Sequence, residues 1–239
     1  MPHTTDPHTI STQGQLEALL GALSEASLKK EISFIHPHYR ALIEASPFAV
    51  LATTGPGGLD ASPRGDAPGF IVVDNDTSLL LPERRGNNRA DSLRNIVADP
   101  KVALLFLIPG LGETLRVNGR ASITTEPALL ARFEVQGACP KCVIRIEVET
   151  VFFQCARAIQ RSALWQPAAP DTCKRLPSPG KILAALTDGA FDGATYDPSK
   201  FKVTAVGTMS LTFVDQDNVT MTYTIDGVTQ SKVITRQPY

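Results

Sequence analysis

Hydrophobic and polar positions alternate along this chain with two different periods. After a polar start, Leu16, Leu19, Leu20 and Leu23 recur at helical spacing, and "HPHYRALIEAS" predicts a second helix opening near Pro37. Both read as packing helices. From Phe48 the period drops to two: "PFAVLATTGPGGLDASPRG" reads as strand, Gly/Pro turn at Gly55 to Gly58, and strand. "GFIVVDNDTSLLLP" repeats that hairpin pattern around an Asp-Asn-Asp turn. "RADSLRNIVADP" then predicts a helix with Leu93, Ile96 and Val97 on one face, ending before Pro100. The strands "KVALLFLIPG", "ETLRVNGRASIT" and "CVIRIEVETVFFQ" follow, with a short helix, "EPALLARFEV", before the last of them. "CARAIQRSALW" closes the series as a terminal helix or turn.

Strands that neighbour in sequence and are joined by tight turns imply an antiparallel sheet, and six or seven of them can close into a small barrel. The fold expected is mainly β with peripheral helices. Four regions are expected: an N-terminal helical arm (1–47), a barrel (48–165), a linker with a short helix (166–200) and a β-meander tail (201–239). The linker holds Pro167, Pro170, Pro177 and Pro179, and "GKILAALTDGAFDGATYD" supplies its helix and loop. In the tail, eight threonines between Thr204 and Thr235, strict alternation, and turns at Asp217-Asn218 and Asp226-Gly227 predict three strands.

Composition narrows the chemistry. With 23 basic and 24 acidic residues the formal net charge is -1, which disfavours broad nucleic-acid binding, so no nucleic-acid partner is expected. The longest apolar run, Val102 to Ile108, is too short to cross a bilayer, and the N-terminus lacks a basic segment followed by an apolar one. The expectation is a cytoplasmic protein without a membrane partner. Cys139, Cys142, Cys155 and Cys173 are too few for a disulfide scaffold, and Cys139-Pro-Lys-Cys142 without a second pair or an embedded histidine makes no zinc site. No metal is expected. All four histidines (His3, His8, His36, His38) lie in the first 38 residues, and His36 and His38 read as helix caps. Chemistry in the body must therefore come from a cofactor or from other side chains.

Against this near-neutral background, "LLLPERRGNNRADSLRN" places Arg84, Arg85, Arg89 and Arg94 within eleven residues, with only Glu83 and Asp91 as local acids. Gly86, Asn87 and Asn88 form a loop just before a helix, where backbone N–H groups and the positive helix end reinforce the arginines. That pattern predicts an anion site. Arg94, more than a turn inside the helix, reads as a solvated residue. Arg64 in "DASPRGD" would add a second arm if its strand neighbours the loop, and otherwise pairs with Asp66 on the surface.

The blocks "LATTGPGGLDASPRGDAPGFIVV", "LLLPERRGNNRADSLRNIVADPKVALLFLIPG", "ETLRVNGRASIT" and "VFFQCARAIQRSALW", in this order and spacing, resemble the pyridoxamine 5'-phosphate oxidase-like, FMN-binding split-barrel flavoproteins over roughly 34–186. The resemblance implies an antiparallel split β-barrel and a homodimer with FMN in a groove between subunits. It implies Ser62, Arg64 and Gly65 along the ring and ribityl chain, and Arg84, Arg85, Asn88 and Arg89 at the phosphate. It also implies Arg116 at the ring edge, and Arg161, Ser162 and Trp165 from the terminal block, with Trp165 as a packing wall. The tail departs from this family; it is similar to Thr-rich β-segments at the ends of some secreted bacterial proteins.

The function the resemblance implies is an FMN-dependent oxidoreductase, passing hydride between a small organic substrate or NAD(P)H and the flavin; the alternative is a non-catalytic flavin or haem binder or sensor. Fold and cofactor do not fix the substrate.

Overall fold

The computed structural model describes residues 8–22, 24–84, 89–167, 171–186, 207–215, 218–225 and 227–235. The expected loop residues Arg85, Gly86, Asn87 and Asn88 lie outside these, as do Leu23, Pro170, the segment 187–206, Asp217 and Asp226. The chain divides into two compact units, Met1–Pro167 and Ala168–Tyr239.

The first unit begins with three helices, α1 (Gln13–Leu20), α2 (Glu25–Lys29) and α3 (Pro37–Ala45). Four strands follow, β1 (Phe48–Gly55), β2 (Gly58–Gly65), β3 (Val72–Asn75) and β4 (Ser78–Pro82). Then come α4 (Asp91–Ala98), β5 (Lys101–Leu107), β6 (Thr114–Thr124), α5 (Pro127–Arg132), β7 (Val143–Gln154) and α6 (Arg157–Ser162). The seven strands form one antiparallel sheet in the order β2-β1-β5-β6-β7-β4-β3, the split barrel with peripheral helices that the sequence predicts. The tight turn at Gly55 to Gly58 sets the β1/β2 register from Phe48 opposite Gly65 to Gly55 opposite Gly58.

The apolar side of this alternation forms the core: Leu51, Leu104, Phe106, Leu115, Val117, Ile144 and Ile146 are each at most 1% exposed. β6 and β7, the longest strands, slip register at Asn118/Gly119, where the backbones approach closely. A Cβ at Gly119 would lie 3.0 Å from the Glu147 carbonyl carbon, so only glycine fits.

α4 lies across β1. Ser92 and Ile96 are its buried residues, and Asn95 Nδ2 donates to Thr53 Oγ1 at 3.1 Å. Val97, expected on the packed face, is 80% exposed, because the helix buries a narrower stripe than its apolar residues suggest. α3 opens at Pro37 as predicted, and the His36 ring nitrogen Nδ1 caps it by accepting from the His38 backbone N–H at 3.2 Å. The packing role expected of the first helix is not met: α1 has no buried residue, and its leucines are exposed. Its ends are satisfied locally, by a Thr12–Gln15 capping box and by Gly21. α2 was not evident from the sequence; its five residues are too short to show a period.

The second unit holds α7 (Thr172–Arg175), α8 (Pro179–Leu186) and a meander of β8 (Gly207–Phe213), β9 (Asn218–Ile225) and β10 (Val228–Thr235), in the order β10-β9-β8. Its register sets Thr208, Thr224 and Thr229 in one row and Ser210, Thr222 and Ser231 in the next. Thr222–Ser231 and Thr224–Thr229 hydroxyl pairs stand 2.8 and 2.7 Å apart.

Candidate functional site

β2 is half-buried on one side only. Asp60, Ser62 and Arg64 share that side, while Leu59, Ala61, Pro63 and Gly65 face outward. Opposite them stand the end of β4 and the first turn of α4. Between these elements is a cavity of about 510 Å³, lined by Ser62, Arg64, Gly65, Arg84, Arg89 and Ser92 among others. Its volume falls within the range of small-molecule sites.

The arginines of this cavity are held by carboxylates. Arg64 Nη1 straddles Glu83, 3.2 Å from Oε1 and 3.1 Å from Oε2. Arg84 Nε donates to Asp66 Oδ2 at 2.9 Å, and its Nη1 donates to the Phe133 carbonyl at 2.7 Å. Arg89 Nε donates to Asp91, whose hydrogen bond and negative charge hold the guanidinium above its ordinary, already high pKa. Local acids thus neutralise more of the cluster than spacing alone suggests, and Arg64, which joins Arg84 and Arg89 at the cavity, pairs with Glu83 and not with Asp66, the alternative the sequence offers. The lining carries four cations (Arg64, Arg84, Arg89, Lys141) and two carboxylates (Glu83, Asp91), with Asp66 on Arg84 and Asp60 within electrostatic reach of Arg89 just outside it. Among the described residues, the buried Arg64 Nε has no hydrogen-bond partner. A buried donor in that state costs free energy until an acceptor meets it.

At the other end of β2, Asp60 Oδ2 accepts from Ser62 Oγ at 2.9 Å and from Ser92 Oγ at 3.0 Å, and the two hydroxyls stand 3.1 Å apart. Cys142 is buried beside the Arg64–Glu83 pair; burial first, then the nearby Glu83 charge, push its thiol pKa up, with Arg64 opposing.

Five of the expected site residues, Ser62, Arg64, Gly65, Arg84 and Arg89, therefore come together. The other described ones lie elsewhere. Arg116 stacks on Phe152, its cross-strand neighbour, with Cζ 4.8 Å from the ring centroid. Arg161 Nε donates to the Arg157 carbonyl and Ser162 Oγ to the Ile159 carbonyl, both within one helical turn. Trp165 Nε1 donates to the Leu111 carbonyl at 2.6 Å, beside a second, more apolar cavity of about 660 Å³ lined by Leu111, Phe34, His36, Tyr39 and Phe153.

Sequence reasoning missed Asp60, Ser92 and Lys141. Period-two alternation from Arg64 would have reached Asp60, whereas Lys141 sits in an irregular segment that carries no such signal. Among the described residues no group of three or more His, Cys, Asp and Glu could hold a metal ion, and no helix is long and apolar enough to cross a membrane.

Comparison with known proteins bears on this geometry. Solved structures similar to the chain include HupZ from Group A Streptococcus, at 22% identity over 50% of this chain and 93% of that one (TM-score 0.42). General Stress Protein 26 from Bacillus anthracis str. Sterne is 18% identical over 47% of this chain and 88% of its own (TM-score 0.38). An FAD binding protein from Mycobacterium smegmatis is 14% identical over 52% and 97% (TM-score 0.35). No curated protein sequence matches. Residues 35–155, just over half of the chain, match the family model described as pyridoxamine 5'-phosphate oxidase. This stretch runs from the His36 cap through the arginine-lined cavity to the end of β7, and by that match the chain belongs to the pyridoxamine 5'-phosphate oxidase family.

Proposed function

We propose that this protein is an FMN-dependent oxidoreductase, acting as a homodimer on a small organic substrate or NAD(P)H. The observation that carries the reading is the convergence of Arg64, Arg84 and Arg89 on one cavity whose buried Arg64 Nε lacks an acceptor. The residues fit FMN: Arg64, Arg84 and Arg89 bring guanidinium donors to one cavity, and the unpartnered Arg64 Nε suits a phosphate oxygen. FMN, when bound, supplies the hydride-transfer chemistry.

The chain's own task is binding and orientation. Arg89, the most exposed of the three with 79% of its side chain accessible, is suited to meet the phosphate first. Arg64 and Arg84 are held rigid by Glu83 and Asp66, so they offer donors without a large ordering cost. Arg85 and Asn88 complete the proposed phosphate loop. Arg116, Arg161, Ser162 and Trp165, which do not line this cavity, are proposed to approach the flavin bound by the partner subunit.

The test is the absorption spectrum of the purified protein and its melting temperature with added FMN. A yellow protein, or an upward shift of several degrees with FMN, supports the reading; a colourless protein that FMN leaves unshifted removes it. Steady turnover with NAD(P)H or an amine donor then separates an oxidoreductase from a flavin or haem carrier.

A further inference from the structure

We infer that β8 is an interaction edge for a second copy of this chain: two β8 strands pair antiparallel about a two-fold axis through Ser210 and join two three-stranded meanders into one continuous sheet. This junction lies wholly in the second unit and is independent of the flavin reading.

The two edges of the meander differ. β10 carries a charge, Lys232, in its middle, a usual guard against edge-to-edge pairing. β8, GTMSLTF, has no charged residue and no proline, and its register with β9 runs without a bulge from Gly207 opposite Ile225 to Phe213 opposite Val219. In an antiparallel pair every second residue turns its N–H and C=O away from the partner, so β8 presents a straight row of backbone donors and acceptors on its outer side. Among the described residues no strand pairs with that side.

The side chains repeat the asymmetry. On one face, Thr222 and Thr224 of β9 pair with Ser231 and Thr229 of β10. Thr208, Ser210 and Thr212 of β8 share that face, and among the described residues they have no such hydroxyl partner. On the opposite face Met209, Leu211 and Phe213 are exposed.

This alternation selects the register. A slip by one residue would join the hydroxyl face of one copy to the apolar face of the other, so the axis must pass through a residue. Only the axis through Ser210 uses all seven residues of β8. It sets Ser210 opposite the second copy's Ser210, Thr208 opposite its Thr212 and Met209 opposite its Leu211, which carries the hydroxyl pairs and the apolar face across the junction. Phe213 then lies beside the second copy's Gly207, an aromatic ring covering the residue that has no side chain of its own. Seven residues span about 24 Å, a small contact beside those of stable dimers, so the pairing is expected to grow with protein concentration.

Cysteine substitution in the full-length protein tests both the pairing and its register. Ser210→Cys should give a disulfide-linked dimer under mild oxidation, seen on a non-reducing gel and mapped by mass spectrometry to position 210 of both chains. Thr208→Cys stands about 14 Å from its own counterpart in this register, beyond disulfide reach, and Ser231→Cys marks the β10 edge. Each of these should give several-fold less dimer linked at its substituted position. No linkage at position 210, or equal linkage at all three positions, overturns the inference. If Ser210→Cys does not fold, Thr208→Cys combined with Thr212→Cys is read in the same way. Its two thiols are about 14 Å apart within one strand and face each other across the axis, so a dimer linked between positions 208 and 212 supports the pairing and its absence overturns it. None of these readouts involves flavin, so their failure leaves the oxidoreductase reading to its own test.

Discussion

Arg64 on β2 and Glu83, just past β4, pair across the mouth of the cavity, with Arg64 Nη1 3.2 Å from one carboxylate oxygen and 3.1 Å from the other. Both side chains are about four-fifths buried, at 20% and 18% exposure, so the pair sits between a surface salt bridge and a core one. Glu83→Gln leaves the Arg64 charge without its counter-ion. We expect the free protein to lose about 2 kcal/mol, less than for a fully buried pair, read as a lower urea midpoint at unchanged slope. Saturating FMN should restore part of that loss, because the phosphate substitutes for the missing charge; equal losses with and without FMN would separate Arg64 from the phosphate.

Arg89 and Asp91 should act in opposite directions on the same ligand. Arg89→Ala is expected to weaken FMN by about tenfold and riboflavin hardly at all, since only FMN carries the phosphate. Asp91→Asn releases Arg89 from its partner and should tighten FMN relative to riboflavin. Fluorescence titrations at low and high salt check both, with the FMN effects shrinking at high salt.

Cys142 gives the protein an alkaline limit of its own. The raised folded pKa means the unfolded thiol, ordinary at 9.0, ionises first as pH rises. The stability tied to this group is full below pH 9.0 and declines as pH climbs from there through the folded pKa. Cys142→Ala should therefore show a shallower fall of urea midpoint above that pH than the native protein. At neutral pH, peptide mapping after iodoacetamide should find the exposed Cys139 and Cys155 alkylated well before Cys142.

Gly119→Ala tests the β6/β7 bulge. The added Cβ would press on the Glu147 main chain, which a flexible side chain cannot relieve by turning away. A loss of roughly 2–4 kcal/mol is expected, visible as a large drop in melting temperature. Near-native stability would mean the two strands can separate at the bulge.

The strands were legible in the sequence because each shows its period within a few residues: Val102, Leu104 and Phe106 are buried in turn, and so are Leu115 and Val117. The cavity was legible only in part. Ser62, Arg64 and Arg84 could be brought together from family resemblance, but the partners that hold them could not, since Glu83 reaches Arg64 from 19 positions away and Phe133 reaches Arg84 from 49. Nothing in the composition marks Ala90, which begins α4 in the left-handed region at φ 54° without a side-chain cap, although glycine or asparagine is the residue usually found there. The exposure of Leu19 on α1 was equally hidden, because helical spacing reports a face and not what that face meets.

The sheet order has a mechanical consequence. β2 is one edge strand and β4 is next to the other edge, and what spans from β2 and its following residue to the end of β4 is a pair of crossed ion pairs, Arg64 with Glu83 and Asp66 with Arg84. Backbone ladders hold every other junction of the barrel. The seam beside the cavity is therefore latched by charge where the rest is stitched by amides, so removing one of these charges slackens the wall of the binding site before it touches the core.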